Sequence, residues 1–394
     1  MKLKTIALLG STGSIGQSTL DIIKKTNTFK VVLIIANSNY SKILSQIKSY
    51  KPKIVIIRNL KAYLRIKKTL NLKKIIILNN INSIEKYIQK IDITVSAIPG
   101  LAGLEPTLKF IKLSKKVLLA NKESIVCGWK LIKKEATKYS TKLVPIDSEH
   151  FSISELTKQH TNDEIEKIYI TASGGPFLKL HKNKFKNVKP KDAIKHPKWK
   201  MGKKISIDSS TLMNKILQLI EAQKLFNITN DKIDILIHPN SLVHAIVKLK
   251  NGITKLLYHE TSMIVPLANA IFDGKLNIEN FYNPKKKSKD EIIGDLSFKN
   301  VDRKIFPIID IKKRANEFPS TSIIINAANE ILVEQFLHKK VPFLTIYKLI
   351  LSIMNDKNYR KYAIRKPNNI VQILAIDSWT KSVIKKRLCL KKAK

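Results

Sequence analysis

A glycine-rich turn constrains this chain most. Gly10-Ser11-Thr12-Gly13-Ser14-Ile15-Gly16 follows a short apolar run and opens a helical stretch. Glycines at such a junction let the backbone approach a pyrophosphate, which the positive end of the helix attracts. The spacing is Gly-x-x-Gly-x-x-Gly rather than the commoner Gly-x-Gly-x-x-Gly, and a tight turn alone needs no ligand. The surrounding sequence carries the argument further. Strands are expected at Thr5–Gly10, Lys30–Ala36, Ile54–Ile57, Lys74–Leu78, Ile93–Ile98, Val117–Asn121 and Leu143–Ile146. Helices are expected at Ser18–Lys25, Ser41–Tyr50, Lys61–Leu70 and Ile84–Gln89. This alternation predicts an α/β fold whose first domain, 1–146, is a doubly wound, Rossmann-type parallel sheet.

The second strand ends at Ala36-Asn37-Ser38-Asn39, with no acidic residue to take a ribose 2′-hydroxyl and with Lys42 nearby. That favours NADP(H) over NAD. Beyond residue 146 the pattern changes. Lys167–Thr171, Lys204–Asp208, Ile233–His238, Ala245–Leu249 and Thr254–Tyr258 read as strands, and Asn251-Gly252 is a hairpin signal. Met213–Phe226 carries a helical apolar stripe through Leu212, Ile216, Leu219 and Ile220. Residues 147–272 are therefore expected to form an α+β catalytic domain with a largely antiparallel sheet. A polar linker is expected over 273–299, and a helical domain over 300–394, with helices at Ser322–Leu337, Leu344–Met354 and Trp379–Leu388.

Several short stretches carry chemistry. Asp147-Ser148-Glu149 places two carboxylates two residues apart after an apolar run. In extended backbone both point to one side and can converge on a hard divalent cation. Asn121 and Lys122 follow a parallel strand, where ligands of such sheets lie. Ser173-Gly174-Gly175-Pro176-Phe177 offers consecutive N–H groups and a hydroxyl to an anion. Ser209, Asn214 and Lys215 stand about the head of a helix, where phosphate is favoured. His196-Pro197-x-Trp199-x-Met201-Gly202 suits a lid.

Composition excludes other classes. The net charge is +43, yet the lysines are scattered and accompanied by many Ile and Asn. This fits an A/T-rich coding bias better than a nucleic-acid surface, so no specific nucleic-acid partner is expected. Two distant cysteines give no disulfide framework, and no apolar run is long enough for a membrane span, so a cytoplasmic address is expected.

Taken together, these blocks resemble the 1-deoxy-D-xylulose 5-phosphate reductoisomerase family. The resemblance rests on Gly10 to Gly16, Leu119-Ala-Asn-Lys-Glu-Ser, Pro145-x-Asp-Ser-Glu-His, Ser173-Gly-Gly-Pro-Phe, His196-Pro-x-Trp-x-Met-Gly-x-Lys-Ile-Ser, Ile237-His-Pro-x-Ser-x-x-His and Asn326-Ala-Ala-Asn-Glu. It implies an NADPH- and metal-dependent isomerisation and reduction of 1-deoxy-D-xylulose 5-phosphate to 2-C-methyl-D-erythritol 4-phosphate, by a homodimer paired through the central sheet. It also implies residue roles. Gly10, Ser11, Thr12, Gly13, Ser14, Ile15, Asn37, Ser38, Asn39, Asn121, Glu123 and Gly202 would bind the cofactor. Asp147, Glu149 and the residue at 218 would hold Mg²⁺, Mn²⁺ or Co²⁺. Lys122, Asp147, Glu149 and His196 would be catalytic. Lys122, Ser148, Glu149, Ser173, His196, Trp199, Met201, Ser209, Asn214, Lys215 and Gln218 would contact substrate.

Two departures stand out. The family's third metal carboxylate is Gln218 here, while Glu221, three residues on, is kept. The site then works with weaker metal affinity, works through Glu221, or has lost activity. In addition, His259-Glu260-Thr261-Ser262-Met263-Ile264-Val265-Pro266 replaces Gly-x-Pro-Asp-Met-Arg-x-Pro; only Met263 and Pro266 are kept, the usual Asp and Arg are Ser262 and Ile264, and the lost polar pairing is expected to affect packing or the dimer interface more than chemistry.

Overall fold

The computed structural model describes residues 3–69, 75–199, 201–281 and 296–392. They fall into two compact units. One takes in the described parts of Met1–Ser124, Lys130–Asp147 and Met263–Ser288; the other takes in those of Ile125–Trp129, Ser148–Ser262 and Lys289–Lys394.

The first unit alternates β1 (Lys4–Leu9), α1 (Ser14–Thr26), β2 (Phe29–Ala36), α2 (Tyr40–Tyr50), β3 (Ile54–Ile57), α3 (Leu60–Thr69), β4 (Ile76–Leu78), β5 (Ile91–Ser96), α4 (Leu104–Leu113), β6 (Ser114–Leu119), α5 (Lys122–Lys138) and β7 (Lys142–Pro145). The sheet order is β4-β3-β2-β1-β5-β6-β7, parallel throughout. Strand order reverses beside β1, which puts the glycine turn at the topological switch point, where ligands of such sheets bind. Both faces of the sheet are covered, so β1 reads as a continuous apolar run rather than an alternating one. Ile6 and Leu8 enter one core with Leu20, Ile34 and Leu267, while Ala7 and Leu9 enter the other with Ile35, Ile54 and Phe110.

The second unit holds α6 (Ser148–Thr157), β8 (Ile165–Ala172), α7 (Pro190–Ala193), α8 (Lys203–Ser210), α9 (Met213–Phe226), β9 (Ile233–Ile237), β10 (Val243–Leu249) and β11 (Thr254–Tyr258). After α10 (Ile264–Phe272), which belongs to the first unit, come β12 (Lys299–Asn300), α11 (Thr321–Leu337), α12 (Thr345–Ile353), α13 (Tyr359–Ala363) and α14 (Ile370–Lys392). The sheet order is β11-β10-β8-β9-β12. Three of its pairings are antiparallel and β8–β9 is parallel. The hairpin at Asn251-Gly252 joins β10 to β11 as expected.

Several expectations are corrected. Lys204–Asp208 is not a strand; it lies in α8. Ile205 and Ile207 mimic strand alternation, but Ser206, Ile207, Asp208 and Ser210 are all buried, and the helix packs on α9 and α11. Ile84–Gln89 reduces to a 3₁₀ turn at Ile84–Lys86. The backbone at Asp147 is not extended: β7 stops at Pro145, the chain bends at Asp147, and Ser148 starts α6. The units also divide differently from the expected domains. Helix α10 packs on α1, and Lys116 ties it down through Ala270 O and Asp273 Oδ1, both at 3.0 Å. The C-terminal helices share a unit with the central sheet because α11 is buried on nearly all sides and bonds to that unit. Asn329 Nδ2 donates to Asp208 Oδ1 at 2.8 Å, and Lys224 Nζ to Ser322 Oγ at 3.1 Å. Most of the expected linker, 282–295, lies outside the described residues.

Candidate active site

In the first unit, Gly10 ends β1 with φ of +93°, and a Cβ there would stand 2.6 Å from Ala97 O. Only glycine suits both conditions. The N–H groups of Gly10 and Ser11 both donate to Ile35 O, at 2.9 and 3.0 Å. The Ser11 hydroxyl donates to Gln46 Oε1 at 2.7 Å, and Gln46 Nε2 returns a bond to Ser11 O at 2.9 Å. Ser11 is thus turned into the fold, with its side chain committed there. Gly13 and Ser14 are exposed at the start of α1, which no side chain caps. Such a terminus suits an anion such as a pyrophosphate.

At the end of β2, Asn37, Ser38 and Asn39 are exposed, and Asn39 Oδ1 caps α2 by accepting from Lys42 N at 3.2 Å. At the end of β6, Asn121 Oδ1 caps α5, accepting from Ser124 N at 2.6 Å. Its Nδ2 donates to Gly100 O at 2.9 Å and to Ile98 O, so this buried amide braces the turn after β5. Lys122 Nζ meets Asp147 Oδ2 at 2.9 Å. Glu123 beside it is buried.

In the second unit, α6 and α9 bring together a buried polar cluster. Glu149 Oε2 accepts from Ser148 Oγ at 2.8 Å and from Gln218 Nε2 at 2.7 Å. Glu149 Oε1 accepts from Lys215 Nζ, which also reaches Gln218 Oε1 at 2.7 Å. Residues 215 and 218 are i and i+3 on α9, so one helix face delivers both. Glu221, one turn on, meets His150 Nδ1 at 3.4 Å, and His150 Nε2 bonds Gln218 O at 2.8 Å. It is therefore Gln218 that faces Glu149, while Glu221 faces His150. A divalent cation suits the Glu149–Gln218 donors. Carboxylate and amide oxygens converge there, and the Lys215 ammonium already sits among them.

A second cluster surrounds Ser173. Gly174 and Gly175 both have left-handed backbone, φ +80° and +62°, which turns Gly175 N onto Ser173 Oγ at 3.1 Å. His196 Nε2 lies 3.0 Å from the same hydroxyl. His196 Nδ1 accepts from Lys198 N at 3.1 Å and Trp199 N at 2.9 Å, so its proton resides on Nε2. Burial, and then repulsion from Lys215, lower the His196 pKa to about 4 and keep the ring neutral. Ser173 Oγ therefore accepts twice, which leaves its own proton to donate. Trp199 and Met201 are half-buried and Gly202 is exposed before α8. Ser209 lies near the end of α8 rather than at a helix head. Asn214 and Lys215 do occupy the first turn of α9, whose preceding residue Leu212 is left-handed and provides no side-chain cap.

Sequence reasoning gave no role to His150, His244 or His259. His244 and His259 stack with centroids 3.9 Å apart, Trp199 packs edge-on to His244 at 6.0 Å, and Phe151 packs against His259 at 6.2 Å. Burial lowers the His259 pKa, and the charge of Glu149 acts on the ring.

Residues 6–128 match the family described as 1-deoxy-D-xylulose 5-phosphate reductoisomerase. Residues 143–226 match its C-terminal domain, and 260–383 match the DXP reductoisomerase C-terminal domain. A Pelagibacter ubique (strain HTCC1062) 1-deoxy-D-xylulose 5-phosphate reductoisomerase is 44% identical over 387 residues, covering 96% of this chain and 97% of its own. A crystal structure of DOX-P reductoisomerase in complex with NADPH, fosmidomycin and magnesium superposes with a TM-score of 0.91 at 31% identity, covering 99% of both chains. The Zymomonas mobilis enzyme in complex with NADPH gives 0.86 at 31%, covering 98% of this chain and 99% of its own. With identity and fold both running nearly end to end, the chain belongs to the 1-deoxy-D-xylulose 5-phosphate reductoisomerase family.

Proposed function

We propose that this chain converts 1-deoxy-D-xylulose 5-phosphate to 2-C-methyl-D-erythritol 4-phosphate for isoprenoid synthesis, using NADPH and a divalent cation. The observation that carries the reading is the buried Glu149–Lys215–Gln218 cluster. It is an acid from α6 and an amide oxygen from α9 held about the Lys215 amine, and the first turn of α9 also presents Asn214.

The residues divide the work. Gly10 to Ile15 and the open start of α1 take the pyrophosphate, with Asn37, Ser38 and Asn39 at the ribose end. Asn121, Glu123 and Gly202 complete the cofactor contacts. Bound NADPH supplies the hydride. Asp147, Glu149 and Gln218 hold the cation, which supplies Lewis acidity to the substrate's ketone and adjacent hydroxyl. Ser173 donates its remaining proton to phosphate, joined by Ser209, Asn214 and Lys215. Ser148 and Lys122 contact substrate hydroxyls. His196 orients Ser173 while it anchors the Trp199 loop, which with Met201 excludes water.

The chain works as a homodimer in the cytosol. The dimer reading is supported by β11, an edge strand whose Leu256 is 42% exposed, with Ile253 just before it 52% exposed. Among the described residues no helix is long and apolar enough to cross a membrane. The test is NADPH oxidation driven by 1-deoxy-D-xylulose 5-phosphate with Mn²⁺, with the product identified. NADPH binding without turnover would instead favour a weakened relative, the reading that Gln218 keeps in play.

A further inference from the structure

Helix α11 carries Asn326-Ala327-Ala328-Asn329-Glu330, and the second asparagine of this run reaches across to α8. Asn329 is fully buried, and its Nδ2 donates to Asp208 Oδ1 at 2.8 Å. A carboxylate oxygen accepts, so the amide is turned with its nitrogen toward α8. Its Oδ1 has no hydrogen-bond partner among the described residues. A half-satisfied buried amide costs free energy that an apolar side chain would not, so generic packing does not explain it. What the amide supplies is one directional bond to a buried acid. Asp208 is 2% exposed, and its Oδ2 accepts from Lys204 Nζ at 2.9 Å, one turn back on α8. The same residue is a hub for the backbone. Thr211 Oγ1 donates to Asp208 O and to Ile207 O, both at 3.2 Å, and accepts at 3.3 Å from the N–H of Met213, the first residue of α9. Asn214 and Lys215 follow directly. On the other side, Ser209 packs on the glycine turn: a Cβ on Gly175 would stand 3.0 Å from Ser209 O, and Gly175 N bonds Ser173 Oγ at 3.1 Å. Both halves of the phosphate set, Ser173 with its turn and Asn214 with Lys215, are thus located from Asp208. All of these residues lie in the second unit.

We propose that Asn329 is a positioning residue for the substrate's phosphate. Through Asp208 it fixes the end of α8, and with it the spacing between the Ser173 turn and the first turn of α9. Being fully buried, it acts through Asp208 and not by touching substrate. The inference rests on the phosphate-binding reading given above. Without the Asn329 bond, Asp208 keeps its charge in a buried place with one donor fewer, and the end of α8 shifts to find another. A phosphate gripped by several short, directional bonds is sensitive to such a shift.

The test uses the full chain, with inorganic phosphate affinity read from ³¹P line broadening beside KM and kcat for 1-deoxy-D-xylulose 5-phosphate. NADPH affinity is the folding control. Asn329→Ala removes the bond, and Asn329→Asp sets two carboxylates against each other. Asn329→Asp combined with Asp208→Asn rebuilds the bond with reversed polarity, because an amide at 208 can donate to 329 and still accept from Lys204. Both single variants should weaken phosphate binding and raise KM by about 10-fold, with kcat changing less and NADPH affinity staying within about twofold. The double variant should recover most of both. Should Asn329→Ala not fold, Asp208→Asn keeps an acceptor for both donors at lower charge and should still weaken phosphate by about 2–5-fold. A bond that only stabilises the fold would lower the melting temperature and leave phosphate affinity and KM unchanged. That result, or a folded double variant without recovery, overturns the proposal, as does wild type that binds no phosphate. Wild type that binds phosphate but does not turn over 1-deoxy-D-xylulose 5-phosphate overturns the proposed function instead, and the ³¹P titration still reads the role of Asn329.

Discussion

Gln218→Glu is the substitution with the clearest two-sided consequence. Gln218 Nε2 donates to Glu149 Oε2 at 2.7 Å, and Gln218 Oε1 accepts from Lys215 at the same distance. Glutamate would replace the donor with a second carboxylate oxygen. Two unit charges that close repel by roughly 6 kcal/mol at an effective dielectric of about 20. Lys215, which reaches both side chains, offsets much of this. What is left is the loss of a hydrogen bond to a charged group, about 1.5–3 kcal/mol. The metal-free variant should therefore melt several degrees below wild type. With metal the sign reverses, because an anionic oxygen replaces a neutral one among the donors. Divalent affinity should tighten by about 10–100-fold, equivalent to roughly 1.4–2.7 kcal/mol. Saturating Mn²⁺ should restore or exceed the wild-type melting point by linkage, and turnover should rise. Calorimetric titration and melting curves with and without Mn²⁺ measure both limbs. A variant with unchanged metal-free melting and unchanged metal affinity would refute the placement of Gln218 against Glu149 as the weak point of the site.

Other outcomes follow from the same geometry. His196 has a folded pKa of about 4 against an ordinary 6.5, so the unfolded chain takes up its proton first as pH falls. Its contribution is intact above about pH 6.5 and is lost on the way down to about pH 4; tryptophan fluorescence should report the Trp199 loop loosening in that window, and His196→Gln should abolish the change. Gly10→Ala forces a left-handed alanine against Ala97 O and should cost more than about 2 kcal/mol, with NADPH affinity falling in a fluorescence titration. Leu256→Lys puts a charge on the exposed edge of β11 and should convert dimer to monomer in sedimentation velocity without unfolding the protein.

The parallel sheet was legible because its strands are buried on both faces and punctuated by turn residues, as at β1 and β3. The helix at Lys203–Ser210 was not. Its Ile205 and Ile207 carry a two-residue period, and only packing against α9 and α11 makes it helical. Candidate residues could be named one by one, since serine, histidine and lysine at strand and helix ends suggest chemistry. Their partners were not, because Glu149 meets Gln218 across 69 positions of sequence and Glu221 meets His150 across a different gap. Strand alternation does not relate Asp147 to Glu149, because β7 stops at Pro145, the chain bends at Asp147 and α6 starts at Ser148.

The most direct test of the central claim follows one atom. Wild-type protein is mixed in a single turnover with 1-deoxy-D-xylulose 5-phosphate, Mn²⁺ and NADPH carrying deuterium at the transferable position. The account predicts deuterium on 2-C-methyl-D-erythritol 4-phosphate, abolished when a chelator removes the metal. NADPH bound tightly, with no deuterium transferred at saturating Mn²⁺, would contradict it.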